Sequence, residues 1–291
     1  MSLPPWIKKK APKQKVMQQM RELLRSYCLH TVCEEAGCPN IGECFEQKTA
    51  TFLILGDRCT RNCRFCAVKK GAPLPLDVKE PKNVAQAVKK LGLRYVVITS
   101  PARDDLADGG ADQFAQTIRK TREINGQRIK VEVLIPDFKG CLSSLKRVVE
   151  ENPDVLNHNL ETVPHLYSKV RPQANYFRSL KLLEQTKELD SSVHTKSGLM
   201  VGLGESFEDV IGVMKDLRGV DCDILTIGQY LRPSGEHLEV EEFIKPEKFK
   251  EYERIGQSLG FSYIASSPFV RSSYGARQAF ESSLEKAVSH I

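Results

Sequence analysis

Six of the nine cysteines in this 291-residue chain fall in one stretch, as Cys33, Cys38 and Cys44, then Cys59, Cys63 and Cys66. The first trio is spaced C-x4-C-x5-C and the second C-x3-C-x2-C. Three thiolates a few residues apart on irregular chain can converge on one soft centre, as iron–sulfur clusters require. Zinc ordinarily takes four closed ligands, often as two C-x2-C pairs, and neither trio supplies a second pair. Each cubane would then have one iron left for another donor. Disulfides and a pair of ligand-sharing zinc sites are the competing readings. The first is disfavoured because only the basic stretch Lys8 to Lys15, and no apolar signal-like run, follows Met1.

Other polar clusters follow. Thr99-Ser-Pro-Ala-Arg103-Asp104-Asp105-Leu-Ala-Asp108-Gly109-Gly110 reads either as a carboxylate cluster or as a solvated turn closed by two glycines. Asn157-His158-Asn159-Leu-Glu161-Thr162, with Arg171 and Arg178 beyond it, offers groups able to bond a ribose or an amino acid. An arginine fork also matches a carboxylate. For each of these residues a structural hydrogen bond competes with a cofactor contact. Arg271-Ser272-Ser273-Tyr274 taken alone is a cap or solvated turn. Beside two trios each short of a donor, a serine alkoxide there becomes a candidate ligand. Cys28, Cys141 and Cys222 lie outside both spacings and read as small buried residues.

These groups need a frame to hold them. An apolar share of 41% at this length supports one large α/β domain. No apolar run reaches the ~18 residues needed to cross a bilayer, so a soluble, cytoplasmic protein without membrane contact is expected. A net charge of +6, with no basic tract interleaved with aromatics, gives no nucleic-acid signature, though it could help attract an acidic protein partner. Prolines 4, 5 and 12 predict an extended arm, and Met17, Met20, Leu23 and Leu24 predict a helix over 16–27. Strands are predicted over 51–55, 95–99, 131–135, 154–157, 198–203 and 223–227, with a short one over 261–265. Between them lie helices, one capped at Asn83 and ended by Gly92, one over 176–189, one opened by Ser206 with Asp209, and one started by Pro246. The alternation argues for a parallel sheet. A doubly wound sheet is disfavoured because cysteines stand where a G-x-G-x-x-G turn would follow the first strand.

Cys59-Thr-Arg-Asn-Cys63-Arg-Phe65-Cys66 resembles the cluster motif of radical S-adenosylmethionine (SAM) enzymes. Together with Cys33-Glu-Glu-Ala-Gly-Cys38-Pro-Asn-Ile-Gly-Glu-Cys44, the Arg103-Asp104-Asp105 loop and the terminal Arg271-Ser-Ser-Tyr, the chain resembles the lipoyl synthases over 3–276. The resemblance implies a partial (β/α)6 barrel, divided as an arm and auxiliary-cluster loop over 1–50, a barrel over 51–260 and a carboxyl-terminal extension over 261–291. It implies two [4Fe–4S] clusters and SAM. Cys59, Cys63 and Cys66 would hold the SAM-cleaving cluster. Cys33, Cys38 and Cys44 would hold an auxiliary one with Ser273 as fourth ligand, or Ser272 as the fallback. Phe65, Arg103, Asp104, Asn157, Glu161, Arg171, Gly202 and Glu205 are the implied cofactor contacts. The implied reaction inserts two sulfur atoms at C6 and C8 of an octanoyl chain on a lysine of a carrier domain, started by a 5'-deoxyadenosyl radical, with sulfur drawn from the auxiliary cluster. Implied partners are the lipoyl domain of a 2-oxoacid dehydrogenase or the glycine cleavage H protein, a ferredoxin or flavodoxin as electron donor, and an iron–sulfur carrier. A radical SAM dehydrogenase or maturase whose second cluster relays electrons is the competing class. The chain departs from the family in having Gly275 where a histidine usually follows the tyrosine, and at Ala102 and Ala107.

Overall fold

The computed structural model describes residues 3–9 and 12–288. Its contacts divide the chain into two compact units, one of residues 10–62 and 67–156, the other of residues 1–9, 63–66 and 157–291.

In the first unit α1 (Gln14–Ser26) buries Met17, Met20 and Leu24, and is followed by β1 (His30–Thr31), α2 (Val32–Glu35) and α3 (Ile41–Glu46). β2 (Thr51–Leu53) is buried at every position. It pairs antiparallel with β1 and in parallel with β5 (Tyr95–Thr99) after the two-residue strands β3 (Arg58–Cys59) and β4 (Lys69–Lys70) and helix α4 (Glu80–Leu91). β5 in turn pairs in parallel with β6 (Lys130–Leu134), on which Tyr95 faces Lys130 and Thr99 faces Leu134. Helix α5 (Ala111–Asn125) buries Phe114 and Ile118 between them. α6 (Leu142–Val149) turns Leu145, Val148 and Val149 inward before β7 (Val155–Asn157). Central strands buried on both faces read as continuous apolar runs, which is why they were legible as strands.

The second unit continues with α7 (Tyr167–Val170), α8 (Tyr176–Leu189), β8 (His194–Val201), α9 (Phe207–Gly219), β9 (Ile224–Gln229), α10 (Pro246–Ser258), β10 (Tyr263–Ser266) and α11 (Ala276–Val288). β8, β9 and β10 are parallel neighbours. Ser206 and Asp209 form the expected reciprocal capping box of α9, and Pro246 opens α10. Gly92 ends α4 at φ 68°, a left-handed value that costs glycine little.

Some boundaries differ from expectation. α4 starts at Glu80, because Pro81 suits a first turn as well as Asn83 suits a cap. β8 begins at His194, where Thr195 and Lys196 are buried despite their polarity. Two cysteines expected to be buried are exposed. Cys28 stands at φ 54° in the turn leaving α1, and Cys141 is the cap residue of α6. Cys222 is buried as expected. Among the described residues no helix is long and apolar enough to cross a membrane.

Candidate active site

The first trio is carried by a tight series of turns. The Thr31 hydroxyl accepts the Glu34 amide to start α2, the Cys38 amide donates to the Cys33 carbonyl, and the Thr49 amide donates to that of Cys44. Gly37 reverses the chain between them at φ 58°. Cys33 is buried, while Cys38 and Cys44 are partly exposed. Burial pushes the Cys33 thiol up to about 12, a hydrogen bond from the Thr51 backbone opposes this, and the neighbouring Cys38 and Cys44 thiols push it further. The three sulfurs therefore share one electrostatic neighbourhood, and a soft cation must displace the proton to bind there. Pro12 leans on this segment: a Cβ added at Gly42, between Cys38 and Cys44, would lie 2.6 Å from the Pro12 Cβ.

Cys59 sits on β3, whose parallel partner β4 fixes the return of the loop. Its sulfur accepts the Arg61 amide at 3.4 Å. The Arg61 guanidinium, buried, donates to Asp104 at 2.7 and 2.9 Å and to Asp137 at 2.5 Å. Thr60 ties the same segment to the Ala102 carbonyl and to the Asp104 amide. Thus the loops after β5 and β6 both clasp the turn that presents Cys59. In the second unit, the Cys66 amide donates to Cys63, the Arg64 amide to Val170, and the Leu238 amide to Arg64. His237 Nε2 lies 3.1 Å from the Cys66 carbonyl. Phe65, between the two cysteines, is half-buried.

The other residues singled out by sequence fall into two groups. Arg103 spends its guanidinium on Asp105 and the Leu55 carbonyl, and Asp104 holds Arg61. Glu205 accepts the Gly202 and Leu203 amides, closing their turn, and burial raises its pKa against those bonds. At Gly202, φ 98°, an added Cβ would collide with Gln229 and the Glu242 carbonyl, so only glycine fits. These four residues shape their loops. A second group forms a polar network. Ser272 Oγ donates to Asn159 at 2.5 Å and accepts from buried Asn157 at 3.2 Å. Asn159 also donates to Glu161 at 3.0 Å, and Arg171 donates to the carbonyls of Asn159 and Leu160. Glu161 adopts φ 68°, and burial raises its pKa although Arg171 and Asn159 oppose the rise. Ser273 is half-buried, and its hydroxyl takes no partner among the described residues.

Sequence reasoning missed Arg61, Asp137 and His237. Arg61 could have been noticed, lying inside the second spacing, but Asp137 lies 76 positions away and His237 lies 171 positions from Cys66. All nine cysteines are free thiols. Among the described residues no three His, Cys, Asp or Glu side chains converge closely enough to hold a single ion. Cys33 feels the charge of both other thiols of its trio, and the Arg61 amide is aimed at the Cys59 sulfur.

Comparisons with known proteins agree. The Radical SAM superfamily model matches residues 53–217, and that of the N-terminal domain of lipoyl synthase of the radical SAM family matches residues 1–38. The lipoyl synthase of Caldanaerobacter subterraneus subsp. tengcongensis is 58% identical over 273 residues, 94% of this chain and 95% of that protein. Those of Caldicellulosiruptor saccharolyticus and Alkaliphilus metalliredigens are 55% and 52% identical, covering 94% and 96% of this chain and 96% of each relative. Among solved structures, HydG, a maturase of the [FeFe]-hydrogenase, aligns with TM-score 0.61 at 13% identity over 94% of this chain and 60% of its own. Methylornithine synthase aligns with TM-score 0.56 at 16% identity over 73% and 69%. The mostly parallel α/β class expected from the sequence, that of the partial barrels, is the one the chain adopts, and its cofactors are SAM and [4Fe–4S] clusters, one of them auxiliary. The two trios of thiols, the loops that clasp them and the near full-length relatives lead to one assignment: the chain belongs to the lipoyl synthase family of radical SAM enzymes.

Proposed function

We propose that this enzyme inserts sulfur at C6 and C8 of an octanoyl group carried on a lysine of a lipoyl carrier domain, in the cytoplasm. The observation that carries the reading is the division of labour between the two terminal serines: Ser272 is held by Asn157 and Asn159, whereas the adjacent Ser273 hydroxyl is uncommitted. In this reading Ser273 would complete an auxiliary cluster held by Cys33, Cys38 and Cys44, and Cys59, Cys63 and Cys66 would hold the other. When bound, SAM and its cluster supply the one-electron cleavage that starts hydrogen abstraction, and the auxiliary cluster supplies sulfur.

The chain's own residues position these groups. Arg61, Thr60 and Asp104 fix the turn carrying Cys59, and Arg103 stiffens the loop after β5. Asn157, Glu161 and Arg171 would bind the polar groups of SAM, with Gly202 and Glu205 supplying a turn and Phe65 an apolar contact. A harder oxygen donor at Ser273 would hold iron less firmly than a thiolate, which would suit a cluster that is to give up its sulfur. Partners follow: a lipoyl domain of a 2-oxoacid dehydrogenase or the glycine cleavage H protein, a ferredoxin or flavodoxin, and an iron–sulfur carrier that rebuilds the spent site.

The test builds the clusters with isotopically labelled sulfide and supplies an octanoyl-lysine peptide, SAM and reductant without oxygen. Label appears in the product of the wild-type chain. Ser273→Cys keeps its iron and still cleaves SAM, but makes no labelled product. Unlabelled product, or labelled product made normally by Ser273→Cys, overturns the reading.

A further inference from the structure

Between β4 and α4 the chain exposes an apolar ridge that none of the chemistry above uses. Leu74, Leu76 and Val78 are 63%, 42% and 83% exposed. Leu74 and Leu76 lie in the irregular segment, and Val78 lies in the turn, closed by the Glu80 amide on the Asp77 carbonyl, that leads into α4. Pro73 and Pro75 restrict the backbone between them. Such a concentration of exposed large aliphatics marks a contact surface more often than chance solvent exposure.

The ridge is presented from fixed ends. At its start Lys70 is in register with Cys59, and the Gly71 amide donates to the Cys59 carbonyl. At its finish the buried carboxylate of Glu80 accepts the Leu55 amide at 2.8 Å and the Gln113 amide group at 3.0 Å. Gln113 also donates to the Asp77 carbonyl at 3.1 Å. A partner seated on the ridge loses little loop entropy, because the loop is already braced.

Charge selects the occupant. Lys70, Lys79 and Lys82 are exposed along the segment, whereas the Lys69 ammonium just before it is taken by Asp57 and Glu35. Of the two acids there, Glu80 is buried, and the exposed Asp77 accepts the Lys79 amide. An apolar strip with a cationic rim is complementary to a protein face that sets aliphatic side chains among carboxylates.

We propose that the segment from Gly71 to Lys82 is the docking surface for the octanoyl-bearing carrier domain, an acidic partner whose modified lysine is thereby held beside the Cys59 loop. This rests on the function proposed above and adds to it where the carrier binds. The two are separated by comparing an intact octanoylated lipoyl domain with a short octanoyl-lysine peptide that reaches the reacting centre without the ridge. In the double variants Leu74→Ser/Leu76→Ser and Lys70→Glu/Lys79→Glu, KM for the intact domain rises roughly tenfold, while kcat and turnover of the peptide stay at the wild-type level. The effect of the lysine pair shrinks as salt is raised. An unchanged KM for the intact domain in both variants overturns the proposal. So does an equal loss on peptide and domain, or a wild-type dimer that the leucine substitutions dissolve. Failure of the wild-type chain on the peptide would instead overturn the sulfur-insertion reading.

Discussion

Replacing Arg61 with methionine tests how firmly the Cys59 turn is held. The guanidinium is 5% exposed and makes three charge-assisted hydrogen bonds, two to Asp104 and one to Asp137. Asp104 is 23% exposed in its side chain and can be rehydrated, so losing its partner costs about 1 kcal/mol or less. Asp137 is 0% exposed and is left with the Lys139 amide at 3.1 Å as a remaining donor to the same oxygen. Breaking a buried pair by removing one partner costs about 3–5 kcal/mol, and the retained amide places this case near the lower end. A loss of about 3 kcal/mol is expected by denaturant titration of the cluster-free chain, equivalent to a fall in Tm of roughly 6–12 °C for a protein this size. Arg61→Met/Asp137→Asn removes the buried carboxylate charge and recovers part of the loss. Iron content, measured on anaerobically reconstituted protein, falls in the single variant because the turn presenting Cys59 loses its clasp. A single variant within 1 kcal/mol of wild type, with the double variant no better, would refute the idea that this ion triad organises the site.

Two further perturbations test the electrostatics. Burial raises the Glu80 carboxyl above its ordinary range, against its bonds from Leu55 and Gln113. A raised carboxyl stabilises the fold below its unfolded pKa and withdraws that support as pH rises through the folded value. Glu80→Gln should therefore flatten the dependence of unfolding free energy on pH upward from about 4.3, and an unaltered pH profile would contradict the burial argument. Hydrogen bonds from Ser143 and Ser144 at the start of α6 lower exposed Cys141 to about 7. Iodoacetamide should therefore modify it with a midpoint near pH 7, ahead of buried Cys222, whose thiol burial pushes up to about 12. Peptide mapping after brief labelling of the cluster-free chain reads the order, and Cys222 reacting first would contradict it.

What was legible in the sequence was local. The cysteine spacings, the Ser206–Asp209 box, Pro246 and Gly92 each express a constraint spanning a few residues, and short-range rules describe them. The clasp on Cys59 was not legible, because Arg61, Asp104 and Asp137 come from three loops that only the strand order of the first unit assembles. The roles of Ser272 and Ser273 divided for the same reason: two adjacent hydroxyls are equivalent in sequence until Asn157 and Asn159, more than a hundred positions away, engage one of them. Cys28 and Cys141 misled because cysteine is small and apolar enough to be assigned to the interior by default, whereas a left-handed turn and a helix cap put these two at the surface.

Pro12 packs closely on Gly42, in the helix that carries Cys44. If Cys44 ligates the auxiliary cluster as proposed, Pro12 is a splint for that ligand. Trimming the chain to its catalytic barrel, or fusing a bulky tag close to its start, would disturb sulfur supply before it disturbed SAM cleavage, and the two half-reactions would come apart.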